Sequence, residues 1–546
     1  MNPGPIRWPV RPVPSGASLR GGGGRLGYPS AVRSPRLAGH AARSPFDRGL
    51  LILPALAAVS VACGGTAAAP PASLSATAVR NAATAAAGRV VPVEAPRPNV
   101  VMVMLDDLPP HDGRLFAPEV MPNLAELIVS QGIRFTDFHA EVPLCGPSRA
   151  NLLTGQHAHN SGANSNEGAQ LDPSVTIATA LDGAGYRTAF VGKYLNGYRA
   201  LPPERRDPPG WDTFDVIDSN QGKYYWYEMR AQDGSVTQHR TDEADYSTDV
   251  LADVAVRRIA EAPAGEPLFV LIAPFAPHEP TLPAPRHEDD ARCRDLPRWA
   301  PPDYDEADVS DKPSYIADAP LIGDGGFDLT AHCESLLAVD DLMGRVGDEL
   351  ERQGRLEDTV FVFSADNGMT WGEHRRVGKV SPYSTAIPAY VAWPAGRARE
   401  PREDATTLSM IDWAPTICEL AGCEIGPFPN GQAGLDGLSF APLLQDEPVA
   451  WQRGSILHTV PSGGDRPVFW SLRTTADHPE GRWLYVENLD GFRELYDLAS
   501  DPFLLENRLA GDVQPEHETL ADRLGAELDD KRIERDEGAD PTPDGS

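Results

Sequence analysis

Cysteine is scarce in this chain: six residues in 546. That density rules out a small disulfide-stapled scaffold, and no Cys/His spacing matches a zinc site. Basic residues are outnumbered as well. The 48 Lys and Arg stand against 79 Asp and Glu, a formal net charge of −31, which argues against a nucleic-acid binder. There is no internal repeat and no apolar run long enough to span a bilayer comfortably. What is present is 41% hydrophobic and 23% charged residues, too apolar for disorder throughout. The length suits two to four domains, or one large α/β domain with an appendage.

Charge divides the chain. Residues 1–97 hold eleven Arg, no Lys, and only Asp47 and Glu94 as acids, so they carry +9 and the remainder −40. Residues 1–48 are rich in Gly, Pro, Ser and Arg without periodicity and read as disordered or removed. The apolar run Leu50 to Ala62, interrupted by Pro54 and flanked by Arg43 and Arg48, has the length of a signal-peptide core. Val61-Ala62-Cys63 looks like a bacterial lipobox, which would make Cys63 the lipidated first residue of a surface lipoprotein. An ordinary secretory signal is the alternative. The expected organisation is a leader over 1–63, a flexible tether over 64–98, a catalytic domain over 99–445, a C-terminal subdomain over 446–534 and a frayed tail over 535–546.

Order begins at Asn99. The runs Val100–Leu105, Leu268–Ala273 and Thr359–Ser364 are continuously apolar, as in strands covered on both faces. Helical patterns lie between them, over 121–131, 174–185, 245–261 and 332–353, the last closed by Gly354. Alternation of this kind predicts an α/β fold with a large, mainly parallel sheet flanked by helices. Near the end, Trp470–Thr474, Trp483–Glu487 and Glu494–Asp497 read as short antiparallel strands. With a helix from Glu516 to about Arg532 they form a smaller α+β subdomain.

Ligands of open α/β sheets bind beyond the carboxyl ends of the strands. Three strands here run into polar clusters: Asp106-Asp107, Pro277-His278 and Asp366-Asn367. Carboxylates and an amide carbonyl suit a hard cation such as Ca²⁺ or Mg²⁺. In Leu144-Cys145-Gly-Pro-Ser-Arg149-Ala-Asn-Leu-Leu-Thr-Gly155, Pro147 suits the first turn of a helix and Gly155 its end. Cys145 then lies at a helix N-terminus, which favours an anion, and Arg149 follows one turn on as a forked oxyanion donor. Cys-x-Pro-x-Arg is expected by chance only about 0.05 times in a chain of this composition.

Cys145-Gly-Pro-Ser-Arg149 with Leu-Leu-Thr-Gly155 resembles the signature of the type I sulfatases, of the alkaline-phosphatase-like superfamily. Further blocks agree in order: Asp106-Asp107, Met121-Pro-Asn-Leu124, Gly192-Lys193, Pro277-His278, Ser364-Ala-Asp-Asn-Gly368 and Glu494-Leu-Tyr-Asp-Leu498. The likeness spans about residues 98–530. Gly192-Lys-Tyr-Leu-Asn196 and Lys223-Tyr-Tyr225 look closest to N-acetylglucosamine-6-sulfatases.

The resemblance implies a sulfuric ester hydrolase. Cys145 would be oxidised to formylglycine (3-oxoalanine) by a separate formylglycine-generating enzyme. Hydrated to a gem-diol, it would attack sulfur, release the alcohol and then expel sulfate. Asp106, Asp107, Cys145, Asp366 and Asn367 would hold one divalent cation, Ca²⁺ before Mg²⁺. Arg149 would position the nucleophile, Lys193 and Lys379 would bind sulfate, and Lys379 with His278 would serve the leaving oxygen. Two positions depart from the family. Leu195 stands where many sulfatases have His, which leaves the base for sulfate elimination unassigned. Ser384 follows Tyr383 where many relatives have Glu. Cys293, Cys333, Cys418 and Cys423 are an even number in an exported chain, and Cys418 is near enough to Cys423 to bridge. The implied substrate is a sulfated sugar, a glycosaminoglycan or an aryl sulfate, without nucleic acid. A phosphonate monoester or phosphodiester hydrolase of the same superfamily, and an unmatured glycan-binding lipoprotein, stay open as alternatives.

Overall fold

The computed structural model describes residues 97–533, apart from 112, 167–170, 203–204, 219–221, 397–400, 430–433, 446–450, 452 and 461–468. All of them belong to one unit, residues 92–546. The leader with Cys63, nearly all of the tether, and the tail over 535–546 lie outside the described residues.

A ten-stranded sheet forms the centre of this unit. In chain order its strands are β1 (Asn99–Leu105), β2 (Ile133–Phe135), β3 (Arg187–Gly192), β4 (Thr213–Ile217), β5 (Tyr227–Arg230), β6 (Val236–His239), β7 (Leu268–Ala273), β8 (Thr359–Ala365), β9 (Ala389–Ala392) and β10 (Arg402–Asp404). They lie side by side as β10-β2-β9-β8-β1-β7-β3-β4-β5-β6. The five central strands, β8 to β4 in that order, are parallel. Antiparallel β9 joins them to β2, and the antiparallel hairpin β5–β6 closes the other edge. The three apolar runs are β1, β7 and β8, and every residue in them is buried.

Long helices cover the sheet. Among them, α1 (Cys145–Thr154) carries the signature, and α2 (Ser247–Glu261) packs along α3 (Thr330–Arg352). The expected helix over 121–131 is shorter, Pro122–Leu124 followed by a wider turn over Ala125–Val129. A separate four-stranded antiparallel sheet lies C-terminally: β11 (Ser455–Thr459), β12 (Phe469–Thr474), β13 (Trp483–Asn488) and β14 (Arg493–Asp497), with α4 (Pro515–Ile533) packed on β12 and β13. Its first strand had no separate signal in the sequence. Two disulfides, Cys293–Cys333 and Cys418–Cys423, take up four of the cysteines and leave Cys145 as the free, buried thiol among the described residues.

Candidate active site

Register brings the polar clusters together. Strands β1 and β8 run parallel with Leu105 opposite Ala365, so Asp106 and Asp366 leave the sheet side by side. Asp107 then turns back at φ 61°, and its N–H donates to the Asp366 carboxylate at 3.2 Å. Strand β3 ends at Gly192, opposite Ala273 of β7. A Cβ at Gly192 would lie 2.2 Å from the Ala273 carbonyl oxygen, so only glycine passes this point, and Lys193 is aimed inward behind it. His278 follows β7 on the next loop. Cys145 opens α1, and Gly155 closes that helix in the left-handed region at φ 68°.

The residues singled out in the sequence for catalysis and metal binding converge here; Cys63 lies outside the described residues. The Cys145 sulfur lies 3.5 Å from Asp106 Oδ1, 3.8 Å from Asp107 Oδ1 and 2.9 Å from Lys379 Nζ. Lys193 Nζ donates to Asp106 Oδ2 at 2.6 Å and lies 3.8 Å from Asp366 Oδ2. Lys379 donates to Asp107, as does Asn367 Nδ2 at 2.8 Å. Arg149 Nε donates to Asp366 Oδ2 at 2.8 Å and Nη1 to the Lys193 carbonyl. His278 Nε2 stands 3.3 Å from Asp107 Oδ2.

Within this cluster of ion-paired side chains, Arg149 Nη2 and Asn367 Oδ1 are buried without a hydrogen-bond partner among the described residues. Buried polar atoms are seldom left so, and the exceptions point to ligands. An orphaned amide oxygen beside three carboxylates has the chemistry of a hard-cation site, so the residues present fit a divalent ion. The liganding atoms of Asp106, Asp107, Cys145 and His278 all lie within 4.8 Å of one another, which adds His278 to the neighbourhood read from sequence.

Burial raises the cost of every charge in this cluster. It works to push Asp106 up, yet the positive charges around it, Lys193 first, together outweigh burial and hold that carboxyl at about 2. For the Cys145 thiol, burial wins: with the Asp106 and Asp366 charges it outweighs Lys193 and Lys379 and drives the thiol up to about 12. An unmodified Cys145 is therefore a protonated thiol at neutral pH, a poor nucleophile. Lys193 and Lys379 resist burial because the carboxylates beside them hold their protons.

The cluster opens into a cavity of about 680 Å³ lined by Lys193, Leu195, Asn196, Arg199, Lys223 and His278 among others. Lys223 is the site residue that sequence reading left without a role. Its Nζ lies 2.6 Å from His278 Nδ1 and 2.6 Å from the Glu279 carbonyl, and burial lowers its pKa. The same Nδ1 lies 2.9 Å from the Glu279 carbonyl oxygen, and Nε2 faces Asp107. A signal existed in the composition: the chain has only five lysines, and three of them, Lys193, Lys223 and Lys379, meet here. Tyr383, which lacks the neighbouring Glu of many sulfatases, donates instead to Glu494 of the C-terminal sheet.

Comparison with known proteins agrees with this geometry. A family model described as "Sulfatase" matches residues 98–423. An arylsulfatase of Volvox carteri is 30% identical over 466 residues, covering 74% of this chain and 70% of its own. An N-acetylglucosamine-6-sulfatase of Capra hircus is 26% identical over 477 residues, covering 77% and 81%. Among solved structures, a protein in complex with its substrate D-glucosamine-2-N,6-O-disulfate superposes with a TM-score of 0.63 at 22% identity, covering 82% of this chain and all of that one. A phosphonate monoester hydrolase from Silicibacter pomeroyi shares the fold at a TM-score of 0.61 and 22% identity, covering 82% and 96%. A match over more than half of the chain, centred on the residues that converge in space, makes this protein a member of the sulfatase family, the hydrolases of sulfuric esters.

Proposed function

We propose that this chain removes sulfate from a sugar ester, and that Cys145 acts only after conversion to formylglycine. The observation that supports this most is the pairing of a buried, protonated thiol with a complete set of charged partners, Lys379 at 2.9 Å foremost. Such a set serves no purpose around an inert thiol. Formylglycine, once hydrated, supplies a hydroxyl nucleophile at this position. Asp106, Asp107, Asp366, Asn367 and residue 145 would hold a divalent cation, Ca²⁺ in our reading, which supplies Lewis acidity towards sulfate oxygens.

The chain's own groups do the remaining work. Arg149 Nη2, buried and unpaired, is free to donate to a sulfate oxygen. Lys193 and Lys379 place two fixed ammonium charges around the same spot, in a low dielectric where they act strongly. His278, packed against Lys223, stands at the cavity wall where it would serve the leaving oxygen. Leu195 is buried and cannot move a proton; Lys379 is the ammonium nearest to residue 145. Residues 99–445 form the catalytic domain in this reading and 446–534 the subdomain that anchors Tyr383. We further propose export, with Cys63 as lipid anchor at the bacterial surface. No helix among the described residues is long and apolar enough to cross a membrane.

The test is the mass of the tryptic peptide Phe135–Arg149 from protein made in its own host, followed by paired assays. Formylglycine at 145 and sulfate release from N-acetylglucosamine 6-sulfate or an aryl sulfate are expected. Unmodified Cys145 in that host would overturn the enzymatic reading in favour of a glycan-binding protein. A dominant rate on a phenylphosphonate ester would replace the substrate class.

A further inference from the structure

The edge hairpin β5–β6 stands beside the cavity and is more than a sheet terminus. Its strands pair with Glu228 opposite Gln238. The next same-face position is Trp226, whose N–H donates to the Arg240 carbonyl at 3.1 Å. These four side chains form one row. Gln238 Nε2 lies 3.3 Å from Glu228 Oε1, Arg240 donates to Gln238, and the Arg240 guanidinium sits 5.3 Å from the centre of the Trp226 ring. The row is continuous with the cavity, because Arg199 of the cavity wall donates to Glu228 at 3.2 Å.

Trp226 is unusual on two counts. It is 52% exposed, and it holds φ 60°, a conformation that bulky side chains rarely adopt and that gathers at functional sites. An exposed aromatic face flanked by planar amide and guanidinium groups suits a pyranose ring. The ring's C–H face meets the electron-rich aromatic face, and its hydroxyls meet the flanking donors and acceptors. Trp226 immediately precedes β5, two positions before Glu228, so a ring stacked on it belongs to a sugar unit beyond the cavity. Arg199 and Arg240 set guanidinium donors on either side of Glu228, a geometry that suits the carboxylate or sulfate groups of an acidic chain.

We infer that the outer face of β5–β6 is a second sugar subsite, which takes the unit next to the sulfated sugar of an acidic oligosaccharide, with Trp226 as its stacking platform. This rests on the sugar-sulfatase reading above. Binding of a remote unit is expected to raise kcat/KM on longer substrates.

The test uses matured full-length enzyme and measures sulfate release from N-acetylglucosamine 6-sulfate and from an acidic tetrasaccharide bearing the same sulfated unit. Wild type should favour the tetrasaccharide by about tenfold in kcat/KM. Trp226→Ala should bring that ratio to about one, and Trp226→Phe should keep most of it. The ratio is insensitive to any loss of folded enzyme. A ratio unchanged in Trp226→Ala, or no preference in wild type, overturns the subsite. Failure of the wild type to release sulfate from either sugar instead overturns the underlying reading, so the two outcomes are distinct.

Discussion

Two buried arginine–aspartate pairs among the described residues differ in what they leave over. In the pair Arg453–Asp412, the guanidinium donates to both carboxylate oxygens, at 2.8 and 2.6 Å. Asp412 also accepts from the Ser409 and Leu438 N–H groups. In the pair Arg149–Asp366 a single side-chain bond joins the partners, and Arg149 Nη2 is left without one. Desolvation is comparable in both, so the contrast lies in saturation. The first pair ties β11 to the core and has nothing further to offer. The second holds donor capacity in reserve, as a site that waits for an anion must.

The comparison can be broken by mutation. Cys145→Ala should lower kcat/KM by about 10⁴-fold or more while the far-UV spectrum and melting curve stay close to wild type. Chelation of divalent ions should abolish turnover and lower Tm by a few degrees, because an ion bound only to the folded state stabilises it. Added Ca²⁺ should restore both, and recovery without added metal would dismiss the cation.

Arg149→Lys keeps the charge but loses the fork. Activity should fall by about 10²–10³-fold with little change in Tm. Arg453→Met should do the reverse: it leaves Asp412 buried and unpaired, costs about 3 kcal/mol or more in urea unfolding, and spares turnover of the folded fraction. Equal effects of the two variants on stability would erase the distinction drawn here.

The smallest effect is a pH dependence away from the site. Burial pushes Asp303, beside His374, up to about 7. A carboxyl raised in the fold favours stability below its unfolded value, and that advantage is lost as pH rises from about 4 through about 7. Asp303→Asn should therefore flatten the decline across that window, on the order of 1–3 kcal/mol in urea titrations at pH 5 and pH 8.

Legibility in the sequence followed burial and chain proximity. Strands β1, β7 and β8 were readable because both faces are covered, which leaves an unbroken apolar run. Strand β6, Val236–His239, is exposed along most of its length and carries neither a run nor a clean alternation. Strand β3 begins with Arg187 and Thr188 and so lacks the unbroken apolar run. Around the cavity, Asp106, Asp107, Cys145, Arg149, Lys193, His278, Asp366, Asn367 and Lys379 are legible as candidates in the sequence, and the fold sets them side by side. The Lys223–His278 contact joins residues 55 positions apart, and Tyr383 meets Glu494 across 111. No local pattern encodes such meetings; they follow from the packing of one strand end against another.

The scarcity of lysine has a practical corollary. None of the five is fully exposed: Lys193 and Lys312 are buried, and Lys223, Lys379 and Lys531 are partly covered. The cationic exterior of the described residues is therefore arginine, which amine-selective acylating reagents leave untouched. Lys223, the one lysine with a lowered pKa, lines an open cavity and would be acylated first. A mild amine reagent thus becomes an active-site titrant for this protein, and a conventional lysine-coupling surface for immobilisation would anchor it through the pocket it needs to keep free.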